Sequence, residues 1–276
     1  MECAWKEFLA LLPPWVRPEA DRRRENLEEV RLRLGQTALL TGGDAPTRTE
    51  KTVSEADLQY VLNSACRYSP WTASTMGQGF VATAGGHRVG LCGQAVLRDG
   101  CMAGISPVRS LNIRVCRNFS GVSRNLWLRP GSVLILGPPG SGKTTLLRDL
   151  ICQRSRREAI SVVDERGELF PPNANFPMGE NTDVMTGCGK ASGMEAVLRT
   201  MSPGCIAVDE ITAEADCRAL LHAGWCGVQL LATAHASSVE DFRRRPVYAP
   251  LAQSGLFETA VVLQRDKSWH TERMVP

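Results

Sequence analysis

From about residue 129 onward, short apolar runs alternate with stretches whose apolar residues recur every three or four positions. The runs at 132–136, 159–163, 205–208, 228–234 and 259–263 read as buried strands, while 143–154, 193–201, 213–223 and 238–245 carry helical spacing. Strands separated by helices need crossover connections, so this pattern predicts an α/β unit with a mostly parallel sheet and helices on both faces. The first part of the chain reads differently. Positions 19–30 look like a charged helix, Val30-Arg-Leu-Arg-Leu34 alternates as a half-exposed strand does, and 54–67 has helical spacing. Segments 79–84, 87–92, 93–98 and 111–116 are short, glycine-bounded and strand-like, which predicts antiparallel hairpins in a smaller α+β domain. Arg129-Pro-Gly breaks regular structure. The expected division is therefore an N-terminal domain over 1–128 and a second domain over 129–276.

The second domain carries the chemistry. Its first apolar run leads into Gly137-Pro138-Pro139-Gly140-Ser141-Gly142-Lys143-Thr144-Thr145, which meets the spacing G-x-x-x-x-G-K-[ST] in full, with a strand before it and a helix after it. Glycines let the backbone curl so that successive N–H groups face phosphate oxygens, and the helix adds its positive end. Lys143 would neutralise the β- and γ-phosphates of ATP, and Thr144 would hold Mg²⁺. Cys205-Ile-Ala-Val-Asp209-Glu210 is a strand that ends in two acids, where open α/β sheets bind ligands. Asp209 suits the Mg²⁺ shell and Glu210 suits polarising water or reading the γ-phosphate. A further cluster, Asp164, Glu165 and Glu168, follows another strand, with Arg166 or Arg199 available to pair with some of its members. Crowded carboxylates need a cation or donors. His235 closes the strand Val228–Ala234, where an imidazole can bond the γ-phosphate or the catalytic acid and report hydrolysis. His87, His222 and His270 have no such setting. After the loop, no arginine is obviously placed to supply a transition-state cation within the same chain, though Arg148 and Arg166 could.

Composition excludes more than it identifies. The net charge of +3 is too slight to argue for a nucleic-acid partner. Arg22-Arg-Arg24 and Arg243-Arg-Arg245 are runs of the kind that usually form solvated faces. No uninterrupted apolar run reaches the roughly eighteen residues of a membrane helix, and the start MECAWKEFLALLPPW lacks a basic leader. The expected address is the cytoplasm, with peripheral docking on a membrane complex allowed. The ten cysteines form no C-x-x-C pair and lack the spacing of a zinc site, as expected of reduced thiols.

In this order and spacing, GPPGSGKTT, VVDERGEL, CIAVDE and LLATAHA resemble the secretion-type ATPases that drive type II and type IV secretion and pilus assembly. LEEVRLRLGQ at 27–36, GGHRVGLCGQAV at 85–96, SLNIRV at 110–115, DVMTGCGKASGM at 183–194 and LRTMSPGCIAVDEI at 198–211 are most similar to the branch that serves sporulation in endospore-forming bacteria. The resemblance implies a RecA-like P-loop NTPase core behind a smaller α+β domain, with ATP and Mg²⁺ as cofactors. It implies Glu165 or Glu168 as the water-activating base, Asp209 and Glu210 in the Walker B role and His235 in the histidine-box role. It also implies a homo-oligomer, a hexameric ring, in which arginines of the front domain reach nucleotide. Arg88, Arg98 and Arg114 are the candidates, with Arg109 weaker. The partners implied are proteins of a membrane-embedded channel between mother cell and forespore. One departure stands out: the family's acidic box reads Glu-Asp-Pro-x-Glu, whereas here it is Asp164-Glu-Arg-Gly-Glu168. Two other readings use the same loop, a nucleic-acid-translocating RecA-like ATPase and a P-loop small-molecule kinase.

Overall fold

The computed structural model describes residues 2–43, 45–66, 79–126 and 130–274. It divides into two compact units, one of Met1–Asn118 with Pro172–Asn175, the other of Phe119–Pro171 with Phe176–Pro276. The boundary expected from sequence, at 128/129, and the last residue of the helix expected at 54–67 lie outside the described residues. Residues 119–126 group with the second unit for a definite reason. The Asp149 carboxylate accepts the Gly121 N–H at 2.7 Å, the Ser123 N–H at 2.8 Å and the Ser123 hydroxyl.

The first unit is built on a six-stranded sheet of order β3-β2-β1-β6-β5-β4, antiparallel throughout. The strands are β1 (Glu29–Arg33), β2 (Thr37–Thr41), β3 (Thr47–Thr52), β4 (Phe80–Ala82), β5 (Arg88–Arg98) and β6 (Cys101–Arg114). Helices α1 (Trp5–Leu11), α2 (Arg17–Arg22) and α3 (Glu55–Cys66) complete the unit. Its core joins Trp5, Phe8 and Leu12 to Val30, Leu32, Leu40, Val89 and Ile113. The helix expected over 19–30 stops at Arg22, because the alternation that begins at Glu29 has already committed the chain to β1. The segments 87–92 and 93–98 form one continuous strand. That strand and β6 make a long hairpin whose outer half, from Cys92, is largely exposed.

The second unit carries a seven-stranded sheet of order β13-β12-β7-β11-β10-β8-β9. Its strands are β7 (Val133–Leu136), β8 (Ile160–Asp164), β9 (Thr182–Thr186), β10 (Cys205–Val208), β11 (Gln229–Ala234), β12 (Thr259–Leu263) and β13 (Trp269–Arg273). All neighbours run parallel except β12 and β13. The helices are α4 (Lys143–Arg154), α5 (Lys190–Thr200), α6 (Glu214–Trp225), α7 (Val239–Arg244) and α8 (Ala249–Ser254). Side chains alternate across a strand, and the burial follows that parity. Leu134, Leu136, Ile206, Val208, Leu230 and Ala232 pack on one face, whereas Val133, Ile135, Cys205, Ala207 and Leu231 pack on the other. Covered on both sides, these strands are continuous apolar runs, which is why they were legible. Among the described residues, no helix is long and apolar enough to cross a membrane.

Candidate active site

Parallel register assembles the site. Val163 of β8 stands beside Val208 of β10, and Val208 beside Ala232 of β11. One residue further along, Asp164, Asp209 and Thr233 fall into a row at the carboxyl edge. Ala234 pairs with Leu136, so His235 and Gly137 leave the sheet together. The apolar strands lie in the core and the residues just past them carry the polar chemistry.

The glycine loop turns at Pro139-Gly140 and enters α4 through Gly142, whose φ of +98° lies in the left-handed region that favours glycine. A Cβ on Gly137 would come within 2.5 Å of Ser141 Oγ. Lys143, only 7% exposed, donates from Nζ to Gly137 O at 2.9 Å and Pro138 O at 3.0 Å, and contacts His235 Nδ1 at 3.1 Å. Burial pulls the Lys143 pKa below its ordinary value, against the charges of Asp209 and Glu210. Thr144 follows with Oγ1 donating to Asp209 Oδ2 at 2.7 Å, and Thr145 is half-buried behind it on α4. The Ser141 hydroxyl is buried with no hydrogen-bond partner among the described residues.

Asp209 is bound at both oxygens, since Thr233 Oγ1 donates to Oδ1 at 2.6 Å. Burial pushes its pKa up and the two threonine hydroxyls pull it down, while the charges of Glu168 and Glu210 also raise it. Glu210 stands in the left-handed region at φ +57°, a costly conformation for a residue with a side chain, and its N–H donates to Thr233 Oγ1 at 2.7 Å. Its Oε1 takes His235 Nε2–H at 2.7 Å, and its Oε2 lies 3.4 Å from Arg166. His235 therefore bridges the loop lysine and the acid that ends β10.

The acidic box divides by role. Asp164, buried, accepts the backbone N–H groups of Glu168, Leu169 and Phe170 at 2.9 Å each, so it shapes the loop. Burial pushes its pKa up, against the pull of those N–H donors. A cleft is lined by Asp164, Glu165, Arg166, Glu168, Lys190, Asp209 and Glu210. Arg199 does not join it and pairs with Glu195 along its own helix. Arg148 is not placed as a transition-state cation: buried on α4, it donates to Glu168 O and Leu169 O and holds the box from behind. Thr233, Lys190 and Asp149 were missed as site or scaffold residues, and Arg148 was read as a possible cation and not as scaffold. The only early signal for Thr233 was its place at the end of an apolar strand.

The front-unit arginines are distributed along the hairpin. Arg88 lies opposite Arg114 in register, with its guanidinium 3.6 Å from the centre of the Phe80 ring. Arg98 pairs with Cys101 at the far end, about 30 Å along the strand. Arg109 sits in the hairpin's middle stretch. The basic runs are engaged: Arg243 donates to Met274 O, Arg244 pairs with Glu240, Arg245 with Asp241 and Arg22 with Glu19, while Arg23 binds the carbonyls of Gly42 and Ala45. His87 is buried and held by backbone, Nε2 donating to Ala4 O and Nδ1 accepting the Cys116 N–H. All ten cysteines are free.

These residues fit a magnesium nucleotide. A glycine loop at the head of α4, a buried hydroxyl with no partner among the described residues and a lysine at the helix start suit a polyphosphate, and Thr144 with Asp209 suits its metal. The solved structures that the chain resembles share the fold. The Legionella pneumophila ATPase DotB matches with TM-score 0.55 at 17% identity, over 94% of this chain and 79% of that one. The pilus retraction motor PilT with bound ADP matches with TM-score 0.60 at 16% identity, over 88% and 76%. The fold is thus RecA-like, as in those structures. In sequence, the stage III sporulation protein AA of Bacillus subtilis (strain 168) is 34% identical over 87% of this chain and 83% of its own length. The family model described as "Sporulation stage III, protein AA" matches residues 11–273, and the chain belongs to that family.

Proposed function

We propose that the chain is a Mg²⁺-dependent ATPase that works as a homo-oligomeric motor, a hexamer, on membrane-embedded channel proteins during sporulation. The observation that carries the reading is the Lys143–His235–Glu210 bridge beside the Thr144–Asp209–Thr233 set. It joins the residues suited to gripping a triphosphate with those suited to breaking its terminal bond. Bound Mg²⁺ would neutralise phosphate charge and orient the nucleotide. Lys143 and the loop N–H groups hold phosphate, Thr144 and Asp209 hold the metal, and Glu210 and the acidic box direct water. An arginine of the front unit, Arg88, Arg98 or Arg114, acts on a neighbouring subunit's nucleotide; such fingers raise rates by about 10³–10⁵. Membership of the sporulation family supports the biological setting, and the chain's address is the cytoplasm, at the membrane through its partners.

The test is phosphate release from Mg-ATP by the purified chain with no added acceptor, beside Lys143→Ala. Release by the parent and none by the variant is the expected result. Release only with an added acceptor would make it a kinase. Stimulation by DNA or RNA would favour a translocase, a reading already weakened by the engaged arginine runs.

A further inference from the structure

The chain that leaves β10 runs through Asp209, Glu210 and Ile211, and one residue of β11 bonds to all three. Thr233, with no exposed surface, donates its single hydroxyl proton to Asp209 Oδ1 at 2.6 Å, and a lone pair of the same oxygen accepts the Glu210 N–H at 2.7 Å. Its carbonyl accepts the Ile211 N–H at 2.8 Å. Two positions further on, His235 Nε2–H reaches Glu210 Oε1 at 2.7 Å. The chain needs this hold. Glu210 keeps a φ of +57°, where a side chain crowds its own backbone, and such a conformation persists only where the surrounding bonds over-determine it. Ala232 and Ala234, on either side of Thr233, carry no group that can replace the hydroxyl.

We propose that Thr233 is a positioning residue for hydrolysis: through one hydroxyl it fixes the Asp209 carboxylate for the metal and holds Glu210 in its left-handed backbone, so that the two acids keep one arrangement. The role rests on the ATPase reading and adds to it the device that sets its two strand-end acids. Valine has the shape of threonine without the hydroxyl, so Thr233→Val strands an Asp209 oxygen and the Glu210 N–H together. Asp209 would keep its bond to Thr144, and the Glu210 backbone would be free to leave its strained conformation. Thr233→Ser removes a methyl group and keeps the hydroxyl.

The experiment compares the full chain with Thr233→Val and Thr233→Ser. Thr233→Val is expected to lower kcat for Mg-ATP at least about thirtyfold with KM within about threefold, and Thr233→Ser to retain kcat within about threefold. A fluorescent, non-hydrolysable ATP analogue titrated with and without Mg²⁺ reads the metal side without turnover. Thr233→Val should bind the analogue as the parent does in EDTA, and should lose at least about fivefold of the tightening that Mg²⁺ gives the parent. Parental kcat in Thr233→Val, a serine variant as impaired as the valine one, or an equal loss of analogue affinity with and without Mg²⁺ would each overturn the role. Because Thr233→Val can fail to fold, the parent and Thr233→Ser have a readout of their own. The Glu210 amide should exchange with solvent at least about a hundredfold more slowly than in an unstructured peptide, and fast exchange there overturns the hold on Glu210. A parent that hydrolyses ATP while Thr233→Val is unaffected sinks this inference alone. A parent that binds no nucleotide and releases no phosphate sinks the ATPase reading and takes the role with it, whatever the amide does.

Discussion

Two histidines in the two units have the same hydrogen-bonding form and opposite surroundings. His87 and His235 each donate from Nε2 and accept at Nδ1. His87 faces a carbonyl and a backbone N–H in the core of an antiparallel unit, and His235 faces an ammonium and a carboxylate at the edge of a parallel sheet. Strand direction explains the difference. In the antiparallel sheet successive strands end at opposite edges, so its charged ends are dispersed: Arg88 meets Arg114 at one end of the hairpin and Arg98 is carried to the other. In the parallel sheet every carboxyl end arrives at one edge, and Gly137, Asp164, Asp209 and His235 gather without any of them being neighbours in sequence. The same imidazole thus locks backbone in one unit and links charges in the other.

That contrast can be broken by experiment. The largest effect is expected from Glu210→Gln, which keeps the hydrogen-bonding shape and removes the charge. Its kcat should fall about 10²–10³-fold while nucleotide affinity, read by fluorescent ATP titration, is retained. Gly137→Ala comes next, because its methyl group would meet Ser141 Oγ at 2.5 Å and Leu263 O at 3.0 Å. Nucleotide affinity should drop at least about tenfold by calorimetry. His235→Ala should lower kcat about tenfold and leave the melting temperature within about 2 °C, since a partly exposed side chain is lost.

His87→Ala sharpens the comparison from the other side. It should destabilise the chain by about 2–4 kcal/mol in urea, through a cavity and two stranded backbone groups. The smallest expected signal is its pH dependence. Burial holds the His87 pKa below its ordinary 6.5, with the bond to Ala4 pulling the other way. As the pH falls below 6.5 the unfolded chain takes up the proton first, so the histidine's contribution is present above that value and is lost as the pH falls through the lowered one. His87→Ala should remove that part of the slope. An unchanged slope would mean that His87 takes up its proton as readily in the fold as in the unfolded chain.

Much of this was legible where one physical requirement acted on neighbouring residues. The phosphate loop announced itself because curling a backbone needs glycines at fixed spacing, and β10 did so because a strand covered on both faces cannot carry a polar residue before its end. Of the edge strands, β4 falls in the segment expected at 79–84, and the others were not legible. Thr47–Thr52, Thr182–Thr186 and Trp269–Arg273 lie at sheet margins and carry too few buried side chains to show a period. In the site, Asp209 and His235 could be read from strand ends, but Thr233 looked like one more β-branched residue until register set it beside Asp209. Lys190 opens a helix 25 residues after Glu165, and only tertiary packing brings them together. Arg148 has the spacing of a helix-surface residue, yet it is buried beneath the acidic box, where two carbonyls stand in for the solvent.

The grip of Asp149 on Gly121 and Ser123 has a mechanical consequence. Those bonds are made from the middle of the helix whose first residue is Lys143, so the irregular stretch at 119–126 meets that helix as a strut and not as slack rope. Tension applied along the stretch would be felt at the phosphate-gripping end of the same rod, and a shift of the rod would be felt in the stretch.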